Sequence, residues 1–209
     1  MMYLLRIPSI IQSFFPEYQW QVANHQIALT FDDGPNPDST AQLLALLKQA
    51  DVPATHFLLG KQVEQNPDLF QQIIESGHAI GHHSYSHWDG WKLREEAYVE
   101  DVIRGQKLVD TNLFRPPYGK ITKRKWKLLQ DVLPSTILVM FSLMPGDFEL
   151  EISSDKLHQR MIQARGGDII VLHDTPMALE KYAPFLLEWV HNMKEKGLEF
   201  VSLQHEQIR

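Results

Sequence analysis

The sequence predicts an α/β fold in which parallel strands carry helices on their outer side, as a barrel or as a doubly wound sheet. Three observations point there. Seven short apolar runs recur along the 209 residues, at 27–31, 55–59, 78–82, 113–115, 136–141, 168–172 and 199–203. Segments with helix caps and helix stops fill the intervals between them. Polar residues of catalytic type stand just after the runs, where parallel α/β folds place their chemistry.

Residues 27–31 (IALTF) read as a buried strand ending in the turn residues Asp32-Asp33-Gly34-Pro35. Asp38, Ser39 and Thr40 offer N-caps for a helix carrying Leu43, Leu44, Leu46 and Leu47. Pro53 ends that unit, and the second strand follows at 55–59. Asn66 followed by Pro67 predicts a helix start, and Gly77 its stop. The third strand leads through a loop to a helix near 93–110. The fourth precedes a helix from about Thr122, and the fifth a long connection with a helix capped at Ser153 or Ser154. A turn at Gly166-Gly167 opens the sixth strand, and a helix closed by Gly197 leads to the seventh. Residues 1–26 are expected to form an N-terminal cap or arm, and residues 27–209 a single domain.

Composition narrows the function classes. A chain of this length buries a full core without staples. It has no cysteine, which excludes a disulfide framework, a thiolate metal site and a cysteine nucleophile. Any metal must be held by nitrogen and oxygen. A net charge of −6 with no long basic run argues against nucleic acid as a partner. The apolar residues near the start (Leu4, Leu5, Ile10, Ile11, Phe14 and Phe15) are interrupted by Arg6, Pro8 and Pro16, so no signal-peptide core forms. No later segment approaches the roughly 20 apolar residues of a membrane span. The expectation is a soluble cytoplasmic protein without a transmembrane segment, with peripheral membrane association of the arm as the alternative. The sequence carries no signal of oligomeric state.

Asp32 and Asp33 end the first strand. The plain alternative is a surface turn. Side chains alternate at a strand end, however, so one carboxylate can ligate a cation while the other stays free as a base. His83 and His87, four apart, are expected on one side of a helical turn within reach of one ion. Two histidines and one carboxylate leave positions for water and substrate. Arg115 can hold a carboxylate bidentately and keep Asp32 ionised, with Asp147 expected to hold Arg115 in turn. His173, whose unperturbed pKa lies near neutrality, suits a general acid. His78 and His82 are expected to be structural, because nothing in their spacing selects them.

In order and spacing these residues make the chain resemble the polysaccharide deacetylases of the NodB-homology group, the fourth family of carbohydrate esterases. Thr30-Phe31-Asp32-Asp33-Gly34-Pro35 matches that family's first motif, and His83-Ser84-Tyr85-Ser86-His87 the second. Arg115-Pro116-Pro117-Tyr118 matches the third and Leu172-His173 the fifth. The fourth departs. The family usually has Asp-Trp with a tryptophan upstream, whereas here Asp147-Phe148 follows Phe141.

The resemblance implies a distorted (β/α)7 barrel with a groove for a sugar chain. It also implies metal-dependent hydrolysis of the N-acetyl group of an N-acetylated carbohydrate, giving acetate and a free amine. Asp33, His83 and His87 would hold one divalent ion, Zn²⁺ before Co²⁺ or a similar metal. Asp32 would act as base, the backbone N–H of Tyr118 would steady the oxyanion, and His173 would protonate the departing amine. Phe148 and Leu172 would line the acetyl pocket. The alternatives are hydrolysis of another C–N amide or an O-acetyl ester on the same scaffold, or an inactive sugar-binding relative. Chitin oligomers, peptidoglycan, another envelope glycan and acetylated xylan all stay open as the substrate.

Overall fold

A computed structural model describes residues 4–203. A short helix α1 (Ser9–Ser13) precedes strand β1 (Gln26–Asp32) and helix α2 (Thr40–Ala50). Strand β2 (Thr55–Leu58) leads to α3 (Gly60–Gln65), α4 (Pro67–Glu75) and β3 (Ala79–His82). Then come α5 (Glu95–Val109), β4 (Leu113–Phe114), α6 (Lys123–Val132), β5 (Ile137–Leu138) and α7 (Ser154–Met161). Strand β6 (Ile169–His173), α8 (Pro176–Glu195) and β7 (Glu199–Val201) complete the chain.

Every ladder is parallel, in the order β5-β4-β3-β2-β1-β6, with β7 paired to the start of β1. The sheet curls into a distorted barrel. Its edges approach only through irregular backbone, with single bridges from Leu143 to Ile170 and from Gln19 to Val139. That explains why the fifth run, expected over 136–141, keeps ladder pairing only at Ile137 and Leu138. Val139 N–H still donates to Phe114 of β4, and beyond it the backbone turns to other partners: Met140 N–H donates to Gln19 and Ser142 N–H to Ile169.

Period-two alternation sorts the core. Ile27, Leu29 and Phe31 of β1 pack outward with Leu43 and Leu47 of α2 and Tyr182, Leu186 and Trp189 of α8. Ala28 packs inward with Phe57, Val139, Phe141, Ile169 and Val171. Burial of apolar side chains of this size stabilises the fold by about 1.5–3 kcal/mol each.

The capping residues divide between two jobs. Thr122, Ser153 and Thr175 cap α6, α7 and α8 with their side-chain oxygens. Ser39 and Thr40 do not cap α2; their hydroxyls donate to Asp174 instead, at 2.6 and 2.5 Å. Helix α3 was not expected, because it is short and follows β2 with only Leu59 between.

The N-terminal arm laces the gap between β5 and β6. Arg6 donates two hydrogen bonds to the Asp168 carboxylate, at 2.6 and 2.9 Å, and Ile7 N–H donates to Ser142. Leu5 and Phe15 pack on the core clusters, while Leu4, Ile10, Ile11 and Phe14 face outward. Among the described residues no helix is long and apolar enough to cross a membrane.

Candidate active site

Strand ends bring the predicted residues together at one end of the sheet. Asp32 closes β1 beside its ladder partner His173 on β6. Its Oδ1 accepts a 2.7 Å hydrogen bond from Arg115 Nη1, and both groups are buried. The same Nη1 donates to Thr30 Oγ1, Nη2 donates to the Met140 carbonyl, and the guanidinium lies 4.1 Å above the Phe57 ring. The arginine therefore holds Asp32 by one nitrogen, not by the expected two-pronged fork: that nitrogen is shared with Thr30, and Nη2 turns to the Met140 carbonyl on the β5 side of the site. Burial lowers the Arg115 pKa and the Asp32 charge opposes that shift.

Asp33 turns away from Asp32 at φ 78°. Its Oδ1 lies 3.3 Å from His87 Nε2 and 3.8 Å from His83 Nε2, and makes no hydrogen bond. One ligand atom from each of Asp33, His83 and His87 falls within 4.8 Å of the others. One carboxylate oxygen and two imidazole nitrogens at that spacing fit a divalent cation. His83 is already set to ligate. Its Nδ1–H donates to the Arg115 carbonyl at 2.7 Å, which turns Nε2 toward the cluster. Burial, and then the neighbouring His87, lower the His83 pKa to about 3, so the ring is neutral with a lone pair to give. The Asp33 and His87 side chains are 25% and 27% exposed, so the cluster is open on one side.

The histidines reach this geometry without a helix. Residues 83–87 form a loop in which Ser84 and His87 take φ 66° and 62°. The i, i+4 spacing held, but the helical turn expected for it did not form. Left-handed residues of this kind cost about 1–3 kcal/mol each and persist where surrounding structure enforces them. Here Asp101 Oδ2 accepts the N–H groups of Tyr85 and Ser86, and Ser84 Oγ accepts that of His87.

Asp147 has a different partner from the one expected. It does not touch Arg115. Its Oδ1 meets His173 Nδ1 at 2.8 Å and its Oδ2 accepts the His173 backbone N–H at 2.6 Å. Lys181 fixes this loop by donating to the Asp147 carbonyl. Burial alone lowers the His173 pKa, but Asp147, followed by Asp33 and Asp32, outweighs it and raises the group to about 10. The Phe148 ring stands edge-on to His173 at 5.4 Å.

Tyr118 takes φ 61° and sets its ring edge-on to His87 at 4.6 Å. Leu172 is a correction. Its side chain packs outward with the α2 and α8 core, because it alternates with the inward-facing Val171 and His173. Two groups were missed. Thr30 Oγ1 accepts from Arg115 and donates to the Ile170 carbonyl. Asp174 is buried, ties the β6 end to α2 through Ser39 and Thr40, and sits so close to Gly34 that a Cβ there would lie 2.5 Å from its Oδ2. The signal for Asp174 was its place directly after His173.

Residues 21–132 match the family model described as polysaccharide deacetylase. A peptidoglycan-N-acetylglucosamine deacetylase from Bacillus cereus is 32% identical over 191 residues, covering 88% of this chain and 90% of that protein. The chain belongs to the polysaccharide deacetylase family. A crystal structure of a peptidoglycan N-acetylglucosamine deacetylase, in complex with a naphthyl N-hydroxybenzamide, matches with a TM-score of 0.84 and 30% identity, covering 91% of this chain and 94% of that one. A pseudoenzyme from Bacillus anthracis shares the fold, with a TM-score of 0.77 at 22% identity over 88% of this chain and 66% of that one. The fold therefore does not carry activity by itself; the site does. As a polysaccharide deacetylase the chain is a hydrolase that cleaves the C–N bond of an acetylated carbohydrate. The family's metal dependence is matched by the cluster of Asp33, His83 and His87.

Proposed function

We propose that this deacetylase removes acetyl groups from the N-acetylglucosamine units of a peptidoglycan-type glycan, using Zn²⁺ held by Asp33, His83 and His87. The observation that carries the reading is the division of labour between adjacent carboxylates. Asp33 belongs to the ligand cluster, while Asp32 is held apart from it by Arg115. A divalent cation bound there supplies Lewis-acid polarisation of the acetyl carbonyl and water of lowered pKa.

The chain's own groups do the rest. Asp32 Oδ2, left over from the Arg115 bond and 3.8 Å from His83 Nε2, borders the cluster and accepts the proton of the attacking water. Arg115 keeps that carboxylate aimed through its 2.7 Å hydrogen bond to Oδ1. The Tyr118 backbone N–H, presented by its left-handed conformation, donates to the developing oxyanion. Asp147 occupies His173 Nδ1, so Nε2 is the atom that hands a proton to the leaving amine. Phe148 shapes the acetyl pocket beside it. The names of the Bacillus cereus relative and of the matched crystal structure support N-acetylglucosamine in peptidoglycan as the substrate class. Phe141 and Phe148, standing where the family usually carries tryptophan, favour as a second reading a related acetamide or O-acetyl ester.

The test is acetate release from a panel: β-1,4-linked N-acetylglucosamine oligomers, peptidoglycan, acetylated xylan and small amides, each with chelator-stripped protein before and after Zn²⁺ or Co²⁺. Release from the first two, dependent on metal, is expected. Release confined to xylan or small amides would move the substrate class, and metal-independent release would reject the cluster's role.

A further inference from the structure

The two histidines of the cluster are placed by different means. The Arg115 carbonyl aims His83 through Nδ1. His87 is flanked by rings, Tyr118 at 4.6 Å and His83 at 5.1 Å, so its position depends on the backbone that carries it. That backbone is the loop with left-handed Ser84 and His87, and α3 and α5 hold it from two sides.

On α5, Asp101, Gly105 and Leu108 recur at helical spacing and make one stripe. Asp101 Oδ2 accepts the N–H groups of Tyr85 and Ser86, both at 3.1 Å. Two successive N–H groups turned on one oxygen form a nest that suits an anion. One turn later Gly105 passes so close beneath the loop that a Cβ would stand 2.4 Å from the Ser84 carbonyl carbon. From the other side the first N–H groups of α3 serve the loop's carbonyls: Gly60 donates to Ser84 at 2.9 Å and Lys61 to Tyr85 at 3.1 Å. Gly60 in turn abuts α5, where a Cβ on it would lie 2.9 Å from Gly105 Cα.

Left-handed residues such as these persist only where surrounding contacts enforce them. The Tyr85 side chain adds a clamp, with Arg104 3.4 Å above its ring and Glu64 accepting its hydroxyl, but exposed pairs of this kind contribute little. The bonds to Asp101 act on the backbone itself, one and two residues before His87. Asp101 also lies outside every segment matched to a family motif.

We propose that Asp101 is a positioning residue for the metal: by holding the Tyr85 and Ser86 N–H groups it keeps His87 in its ligand position before the ion arrives, and so sets the affinity for the ion. It acts through the loop and not through contact with the ion. The inference rests on the reading of Asp33, His83 and His87 as the ligand cluster, and its test separates the two.

Zn²⁺ affinity of the full-length protein is measured by competition with a chromophoric chelator, beside thermal melting of the stripped protein. Asp101→Ala should weaken Zn²⁺ binding at least about tenfold, within the range of about 10- to 100-fold seen when groups that support metal ligands are altered. Asp101→Asn keeps an oxygen for the two N–H groups and should recover most of that loss. Glu100→Ala, exposed at the neighbouring position of α5, controls for the helix and should leave the affinity intact. At saturating Zn²⁺, kcat of Asp101→Ala on the β-1,4-linked N-acetylglucosamine pentamer should return close to the wild-type value, because the bound ion then holds His87 itself. Should Asp101→Ala lose its cooperative melt, Asp101→Glu decides: it keeps the charge and the helix, displaces the oxygen by one methylene, and must still weaken Zn²⁺ binding. Equal affinity in wild type and Asp101→Ala, or a loss as large in Asp101→Asn as in Asp101→Ala, overturns the positioning role and keeps the ligand cluster. Wild-type protein that takes up no Zn²⁺ rejects the cluster and the positioning role together.

Discussion

His83 and His173 sit at the same end of one sheet, and their pKa values move in opposite directions. His83 Nδ1 is backed by the neutral Arg115 carbonyl, so burial prevails and lowers the ring to about 3. His173 Nδ1 is backed by the Asp147 carboxylate; burial pulls its pKa down too, but Asp147, Asp33 and Asp32 together lift it to about 10. The group behind each ring decides its role. In the proposed mechanism, His83 backed by the Arg115 carbonyl would offer its lone pair to the cation, and His173 backed by the Asp147 carboxylate would keep its proton for the leaving group.

The sharpest way to break this contrast is to delete each ring. His83→Ala should retain no ion after dialysis and fall to background activity. His173→Ala should keep its ion while losing about 10²- to 10⁴-fold in kcat. Metal analysis of the two purified variants checks the pair, and equal metal loss in both would dissolve the distinction.

A smaller effect is expected from changing only the group behind His173. Asp147→Asn should cost about 10- to 100-fold in rate, in the range seen when groups that orient a site histidine are altered. The sign of its pH effect follows from the raised pKa. The working, protonated form of His173 is present below that pKa and is lost as pH rises through it. Without the Asp147 charge the pKa falls, so the alkaline limb of the rate profile should move to lower pH. A limb that stays in place would mean that Asp147 does not set it.

Much of this was legible in the sequence because strand periodicity and reactive residues obey local rules. All seven apolar runs contain a strand, and the loops after five of them supply the site. What was not legible depended on distance or on backbone strain. The partner of Asp147 could not be read because residues 115, 147 and 173 are far apart in the chain, and either Arg115 or His173 suits a carboxylate. Left-handed Ser84 and His87 broke the helical turn that the His83–His87 spacing suggests, since neither residue type announces such a conformation. Leu172 is the instructive error. Alternation alone places it opposite His173, and that rule outweighs adjacency to a catalytic residue in the motif. Ser39 and Thr40 misled differently: their hydroxyls suit an N-cap, but the buried Asp174 carboxylate claims both.

The most direct test of the division between the two carboxylates is a Zn²⁺ titration of chelator-stripped wild-type and Asp32→Asn protein, with bound metal and acetate release from the N-acetylglucosamine pentamer read in the same samples. Both proteins should saturate at one ion per chain, and only the wild type should release acetate, in step with its metal. An Asp32→Asn protein that turns over normally, or one that fails to take up the ion, would contradict the assignment of Asp32 as base and Asp33 as ligand.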